Sequence, residues 1–127
     1  MDAEETTVFV VDDDAAVRKS LRLLLETYGM RVEDYESPAA FARAYRRGTG
    51  QCLVLDHHMP GMTGLEFLAT GAVSDLPVIL LTGQGSAAIR AGALHAGAAA
   101  YLEKPVDIAM LVDTIRDALS PTGTSRS

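Results

Sequence analysis

Five short apolar runs punctuate the chain, and each ends in polar or turn-forming residues. The first, Thr7 to Val11, is apolar throughout rather than alternating, the pattern of a strand covered on both faces. The runs Cys52–Leu55, Val78–Leu81 and Ala98–Leu102 read the same way, while Arg31–Tyr35 is more polar and predicts a strand near a sheet edge. Helical spacing fills the intervals. Val17, Leu21, Leu24 and Tyr28 predict a helix from about Ala15, with Asp14 as cap and Gly29 as stop. Ser37-Pro38 opens a second helix through Phe41 and Tyr45 to Arg47, closed by Gly48. Leu65, Phe67 and Leu68 begin a short third helix that gives out near Gly71. Ser86 to Ala96 is an Ala- and Gly-rich fourth, anchored by Ile89 and Leu94 and stopped by Gly97. Asp107 caps a fifth, in which Ile108, Leu111, Val112, Ile115 and Leu119 fall on one stripe.

Strands thus alternate with helices five times. That predicts an α/β fold, a doubly wound five-stranded parallel sheet with helices on both faces and right-handed crossovers. Of the two common doubly wound strand orders, 2-1-3-4-5 suits five strands in one small domain, a flavodoxin-like arrangement. In it the first and third strands meet at the switch point, where ligands bind beyond the carboxyl ends. The expected organisation is a disordered start at 1–6, a domain over 7–119, and a tail or linker at 120–127 of Ser-Pro-Thr-Gly-Thr-Ser-Arg-Ser.

Composition narrows the class. With 48% apolar and 22% charged residues the chain has a globular composition. A net charge of −6 argues against direct nucleic-acid contact by this chain. A lone cysteine, Cys52, allows no internal disulfide and reads as a small buried residue. No apolar run approaches membrane-spanning length and the acidic N-terminus lacks a signal-peptide core, so a cytoplasmic protein with no membrane contact is expected.

The chemistry gathers at strand ends. The first strand ends in Asp12, Asp13 and Asp14, the third in Asp56, the fourth in Thr82, and the fifth leads to Lys104. Pro60, Gly61 and Gly64 force a turn soon after Asp56, which places that carboxylate on a loop at the mouth of a buried strand. Three carboxylates in one crevice stay ionised together only beside a compensating cation, and one lysine is too few. Hard oxygen donors suit Mg2+. Asp12, Asp13 and Asp56 are the candidate ligands, with the backbone carbonyl of His58 completing the shell. A carboxylate beside a divalent ion, a lysine and a hydroxyl is equipped to accept a phosphoryl group.

With these residues the sequence closely resembles the response-regulator receiver domains of two-component signalling. The match rests on Val11-Asp12-Asp13-Asp14, on Asp56 in Asp-x-x-Met-Pro-Gly-Met-Thr-Gly, on Leu81-Thr82-Gly83, and on Glu103-Lys104-Pro105, spanning about residues 7 to 119. Within the family it resembles receivers of LuxR-type and nitrogen-fixation-type transcriptional regulators. The resemblance implies that Asp56 accepts a phosphoryl group from a sensor histidine kinase, with Asp12 and Asp13 in the Mg2+ pocket. It implies that Lys104 contacts the phosphoryl group before a cis peptide to Pro105. Thr82 and Tyr101 take the switch positions, while His58 and Gln84 take positions that modulate phosphoryl lifetime. It implies a signalling receiver that catalyses only its own phosphotransfer and dephosphorylation, and a phosphorylation-dependent homodimer through the fourth helix, fifth strand and fifth helix. The sequence departs from its relatives at His57-His58, where an Arg often precedes the Met-Pro; the His58 side chain is expected to border the phosphoryl site. Adjacent histidines on a strand exit rarely converge on one transition metal. An FMN- or nucleotide-binding flavodoxin-like protein would be repelled by Asp12-Asp13-Asp14. A haloacid-dehalogenase-type hydrolase would carry its nucleophile on the first strand, and a degenerate receiver would have lost a pocket residue.

Overall fold

The computed structural model describes residues 6–120; the expectations for 1–5 and 121–127 lie outside them. Five strands, β1 (Thr7–Val11), β2 (Arg31–Tyr35), β3 (Gln51–Asp56), β4 (Val78–Thr82) and β5 (Ala100–Glu103), alternate with α1 (Ala15–Thr27), α2 (Pro38–Ala44), α3 (Gly64–Ala69), α4 (Ala87–His95) and α5 (Ile108–Leu119). The sheet is wholly parallel in the order β2-β1-β3-β4-β5, with the polar β2 at one edge.

The alternation of side chains along each strand divides the core in two. Phe9 and Val11, Leu53 and Leu55, and Val78 and Leu80 point to one face, where Phe41 of α2, Phe67 and Leu68 of α3, and Ala93 of α4 cover them. Val8 and Val10, Cys52 and Val54, and Ile79 and Leu81 point to the other, under Leu25 of α1 and Leu111, Val112 and Ile115 of α5. A strand buried on both faces must be apolar at every position, which is why these runs do not alternate. Phe41, fully buried, anchors the first face, with its ring 5.1 to 6.4 Å from those of Phe9, Tyr35, Tyr45 and Phe67.

Helix ends follow local chemistry. Asp14 accepts from Ala16 N and Val17 N, and Ser37, Ser86 and Asp107 cap α2, α4 and α5 in the same manner. Thr63 and Glu66 form a reciprocal capping box at the start of α3.

Several sequence expectations shift. The second helix ends at Ala44, not Arg47: Tyr45 turns extended (φ −64°, ψ 133°) so that its ring stacks on Phe41 and meets Phe9 edge-on at 5.7 Å. On α1 the fully buried residue is Leu25, and Leu24 is 41% exposed. On α4 Ala93 is buried and Leu94 is 50% exposed. The last strand starts at Ala100, because Ala98 N still bonds back to Ala93 O as α4 closes. Asp56 is the final residue of β3 rather than a loop residue, and only 3% exposed.

Candidate functional site

Parallel register brings the acidic residues together. Val11 on β1 faces Leu55 on β3, so Asp12 and Asp56, one step further along, emerge side by side at the carboxyl edge. One oxygen each of Asp12, Asp13 and Asp56 lie within 4.8 Å of one another; among the described residues this is the group of His, Cys, Asp or Glu side chains arranged to hold a metal ion. Asp12 and Asp56 are buried and Asp13 is exposed. Asp12 Oδ1 accepts from Asp14 N at 2.9 Å, which leaves Oδ2 to face the crevice.

Lys104, carried from the end of β5 by Lys104 N donating to Thr82 O at 2.8 Å, reaches into this group. Its Nζ lies 2.8 Å from Asp56 Oδ1 and 3.4 Å from Asp12 Oδ2, and its peptide bond to Pro105 is cis. The Asp56 contact is a short ion pair made by a buried carboxylate oxygen. Burial raises the Asp56 carboxyl above its ordinary range; Lys104 opposes the shift and the negative charge of Asp12 adds to it. Burial alone would lower the Lys104 ammonium, but its contacts with Asp56 and Asp12 outweigh that and raise it. One cation faces three carboxylates. The excess negative charge and the all-oxygen donor set together fit a hard divalent cation.

Thr82, fully buried, ends β4 beside this group. Its Oγ1 accepts from Gln84 N at 3.2 Å and lies 3.2 Å from His58 Nε2. The two histidines diverge. His57 is buried, and its Nδ1 accepts from Leu65 N at 3.3 Å in the first turn of α3, which places its proton on Nε2. Burial, and then the neighbouring His58, lower its pKa. The rings stand 4.9 Å apart at 75° with different partners, so they form no shared metal site.

Tyr101 packs against the first core face, and its hydroxyl is buried without a hydrogen-bond partner among the described residues. The Arg90 guanidinium carbon stands 5.9 Å from its ring centre. A Cβ at Gly85 would collide with the Tyr101 hydroxyl and the Glu103 carboxylate, so the loop after Thr82 lies directly on Tyr101. A second glycine is held as closely: Gly64, whose N donates to His57 O at 2.9 Å, packs against the Asp56 carbonyl.

Asp12, Asp13, Asp56, Thr82, Lys104 and His58 therefore lie at one crevice, with Gln84 and Tyr101 on its flank. Reading the sequence missed the close packing at Gly64 and Gly85, the His57 contact with α3 and an ion-pair network from α1 to β2. The glycines had a signal, since each sits beside a motif residue. The others depend on partners far apart in sequence.

The family model described as response regulator receiver domain matches residues 8–116. The transcriptional regulatory protein FixJ of Azorhizobium caulinodans is 42% identical over 120 residues, covering 91% of this chain and 56% of that protein. The chain thus spans a little over half the length of FixJ and TmoT, and a quarter of the regulatory protein DctD of Pseudomonas aeruginosa. Among solved structures, FixJ-N has a TM-score of 0.77 at 35% identity, covering 90% of this chain and 93% of that one. The response regulator StyR has a TM-score of 0.83 at 39% identity, covering 96% and 63%. Sheet order, acidic crevice and family match converge: this chain belongs to the response regulator receiver domain family.

Proposed function

We propose that the chain is a phosphoacceptor switch in which Asp56 takes a phosphoryl group from a sensor histidine kinase. The observation that carries this reading is the buried Asp56 carboxylate, with Oδ1 2.8 Å from Lys104 Nζ, grouped with oxygens of Asp12 and Asp13. An Asp56 oxygen attacks the phosphorus of a phosphohistidine. A P–O bond forms, the P–N bond breaks, and the kinase imidazole leaves with the electron pair. Lys104 neutralises charge on the transferring group. Asp12, Asp13, Asp56 and the His58 carbonyl would hold Mg2+, which when bound supplies further charge neutralisation at the phosphoryl oxygens. Water later attacks the acyl phosphate and releases phosphate, so the chain catalyses its own dephosphorylation and no external turnover.

The switch is built on Thr82 and Tyr101. The new phosphoryl group carries about −1.5 to −2 charge and attracts the Thr82 hydroxyl, which keeps its contact with His58 Nε2 and carries the loop with it through Gln84 N. Movement of the Gly83–Gly85 loop then changes the ground beneath Tyr101, biasing a pre-existing equilibrium. The face formed by α4, β5 and α5, where Leu94 and Met110 are exposed, becomes the contact between two copies of the chain. The unit that switches is residues 7–119, its setting is the cytoplasm, and its output is transcriptional control, in keeping with the regulators it resembles. His58 and Gln84 tune phosphoryl lifetime through their contacts with Thr82.

Incubation with acetyl phosphate and Mg2+, followed by intact-mass analysis, tests the reading. The expected product is one phosphoryl adduct, stable in acid and labile in base, absent in Asp56→Asn and without Mg2+. No adduct on the wild-type chain refutes it.

A further inference from the structure

An ion-pair network joins α1 to the edge strand next to the acidic crevice. Arg18 Nε lies 2.8 Å from Asp34 Oδ2, and Arg22 Nη1 lies 2.6 Å from Asp34 Oδ1. Arg18 has a second engagement: its Nη1 donates to the backbone carbonyl of Asp12 at 2.8 Å. That carbonyl belongs to the residue just past the end of β1, whose own N donates to Tyr35 O on β2 at 3.2 Å.

These contacts close a ring around the acidic turn. Asp12 Oδ1 accepts from Asp14 N, the Asp14 side chain caps α1, Arg18 N bonds to Asp14 O at 2.9 Å, and the Arg18 side chain returns to Asp12 O. Asp13 is held between two pinned neighbours. The guanidinium is itself held on the far side by Asp34, a residue on a different element.

We propose that Arg18, tethered by Asp34, is a positioning residue of the acidic pocket: it fixes the Asp12 peptide so that Asp12 and Asp13 present their carboxylates beside Asp56. This rests on the reading of that pocket as a Mg2+ site. Groups that orient metal ligands from behind typically change affinity by 10- to 100-fold when removed. Electrostatics alone predicts the opposite sign. Deleting a positive charge beside an acidic pocket makes the local potential more negative and tightens cation binding. Weakening on removal of Arg18 therefore reports position, not charge.

Calorimetric titration of the whole chain with MgCl2 alone, with melting temperature measured in parallel, provides the test. Arg18→Met is expected to weaken Mg2+ binding about 10-fold. Arg18→Lys, which keeps the charge but not the double engagement, is expected to fall between it and the wild type. If Arg18→Met does not fold, the charge-neutral Arg18→Lys comparison decides alone. Arg22→Met removes a charge from the same network without touching Asp12, and should bind Mg2+ as tightly as the wild type or tighter. Wild-type-like affinity in both Arg18 variants, or equal weakening in Arg22→Met, overturns the inference. A wild-type chain that binds no Mg2+ refutes the metal site first, and this inference with it.

Discussion

Gly64→Ala is the smallest change that reaches the phosphoacceptor from behind. A Cβ at Gly64 would stand 2.5 Å from the Asp56 carbonyl oxygen, 2.8 Å from Leu80 Cδ1 and 3.0 Å from the Cα of His57. The leucine tip can swing aside, but the other two atoms are backbone. They belong to the end of β3, which is bonded to β4 through His57 N and Leu81 O at 2.8 Å. The added methyl must therefore move the start of α3, the Asp56–His57 peptide, or both, by roughly half an ångström or more. Overpacking of this kind costs about 1–3 kcal/mol, which for a domain of this size is a fall of about 4–12 °C in melting temperature. A misplacement of about 1 Å at a reacting group can cost about 100-fold in rate, so half that displacement predicts about 10-fold slower phosphorylation of Asp56. Gly61→Ala is the control: φ is +85° there, with nothing near the position of a Cβ. It should lose about 1–2 kcal/mol to backbone strain while phosphorylating at close to the wild-type rate. Thermal melts and single-turnover phosphorylation of the three proteins read both quantities. Wild-type stability and rate in Gly64→Ala would show that the close approach constrains nothing.

Two further outcomes are expected. Burial would raise the Asp34 carboxyl, but its hydrogen bonds and ion pairs with Arg18 and Arg22 outweigh burial and hold it below its ordinary 3.8. Between those two values the unfolded chain binds the extra proton, so the contribution of Asp34 to stability is fully present above about pH 5 and fades as pH falls through the folded-state value. The stability gap between wild type and Asp34→Asn, read from denaturant midpoints, should narrow from pH 6 to pH 3; a constant gap would contradict this. His58 is exposed and covers Thr82, to which it stands 3.2 Å away. A hydrogen bond worth about 1 kcal/mol predicts that His58→Ala shortens the acyl-phosphate half-life about fivefold, and an unchanged half-life would exclude His58 from the site.

The sheet was legible because its central strands are buried on both sides, and continuous apolar runs such as Val78–Leu81 have few other uses. Helix faces were less so. In α1, Leu23, Leu24 and Leu25 are consecutive, so hydropathy alone leaves the phase of the helix open; the sheet selects Leu25 and leaves Leu23 and Leu24 exposed. In α4 the surface against the core admits only a small residue, Ala93, and the larger Leu94 stays outside. The end of α2 was hidden for another reason: Tyr45 leaves the helix to pack on rings contributed by β1 and α2 itself, a tertiary contact with no local signature. At the crevice, the strand-end residues were visible as a set because the topology carries every carboxyl end to one edge. The bond from Arg18 to Asp12 was not, because it requires knowing that Asp34, sixteen residues from Arg18, lies alongside.

The register of β1 against β3 has a consequence for how this chain tolerates insertions and deletions. Val11 faces Leu55, so the separation of Asp12 from Asp56 is set by a hydrogen-bond ladder rather than by any loop. One residue added between Tyr45 and Gly50 lengthens a connection and leaves the register of β3 against β1 in place. The same residue added inside Gln51–Asp56 advances the chain by about 3.3 Å and turns each following side chain to the opposite face. Asp56 would then point toward the Phe41 side of the sheet, away from Lys104. Length variation in this chain is therefore tolerated better in the connections at the amino edge of the sheet than within a few residues of the acceptor.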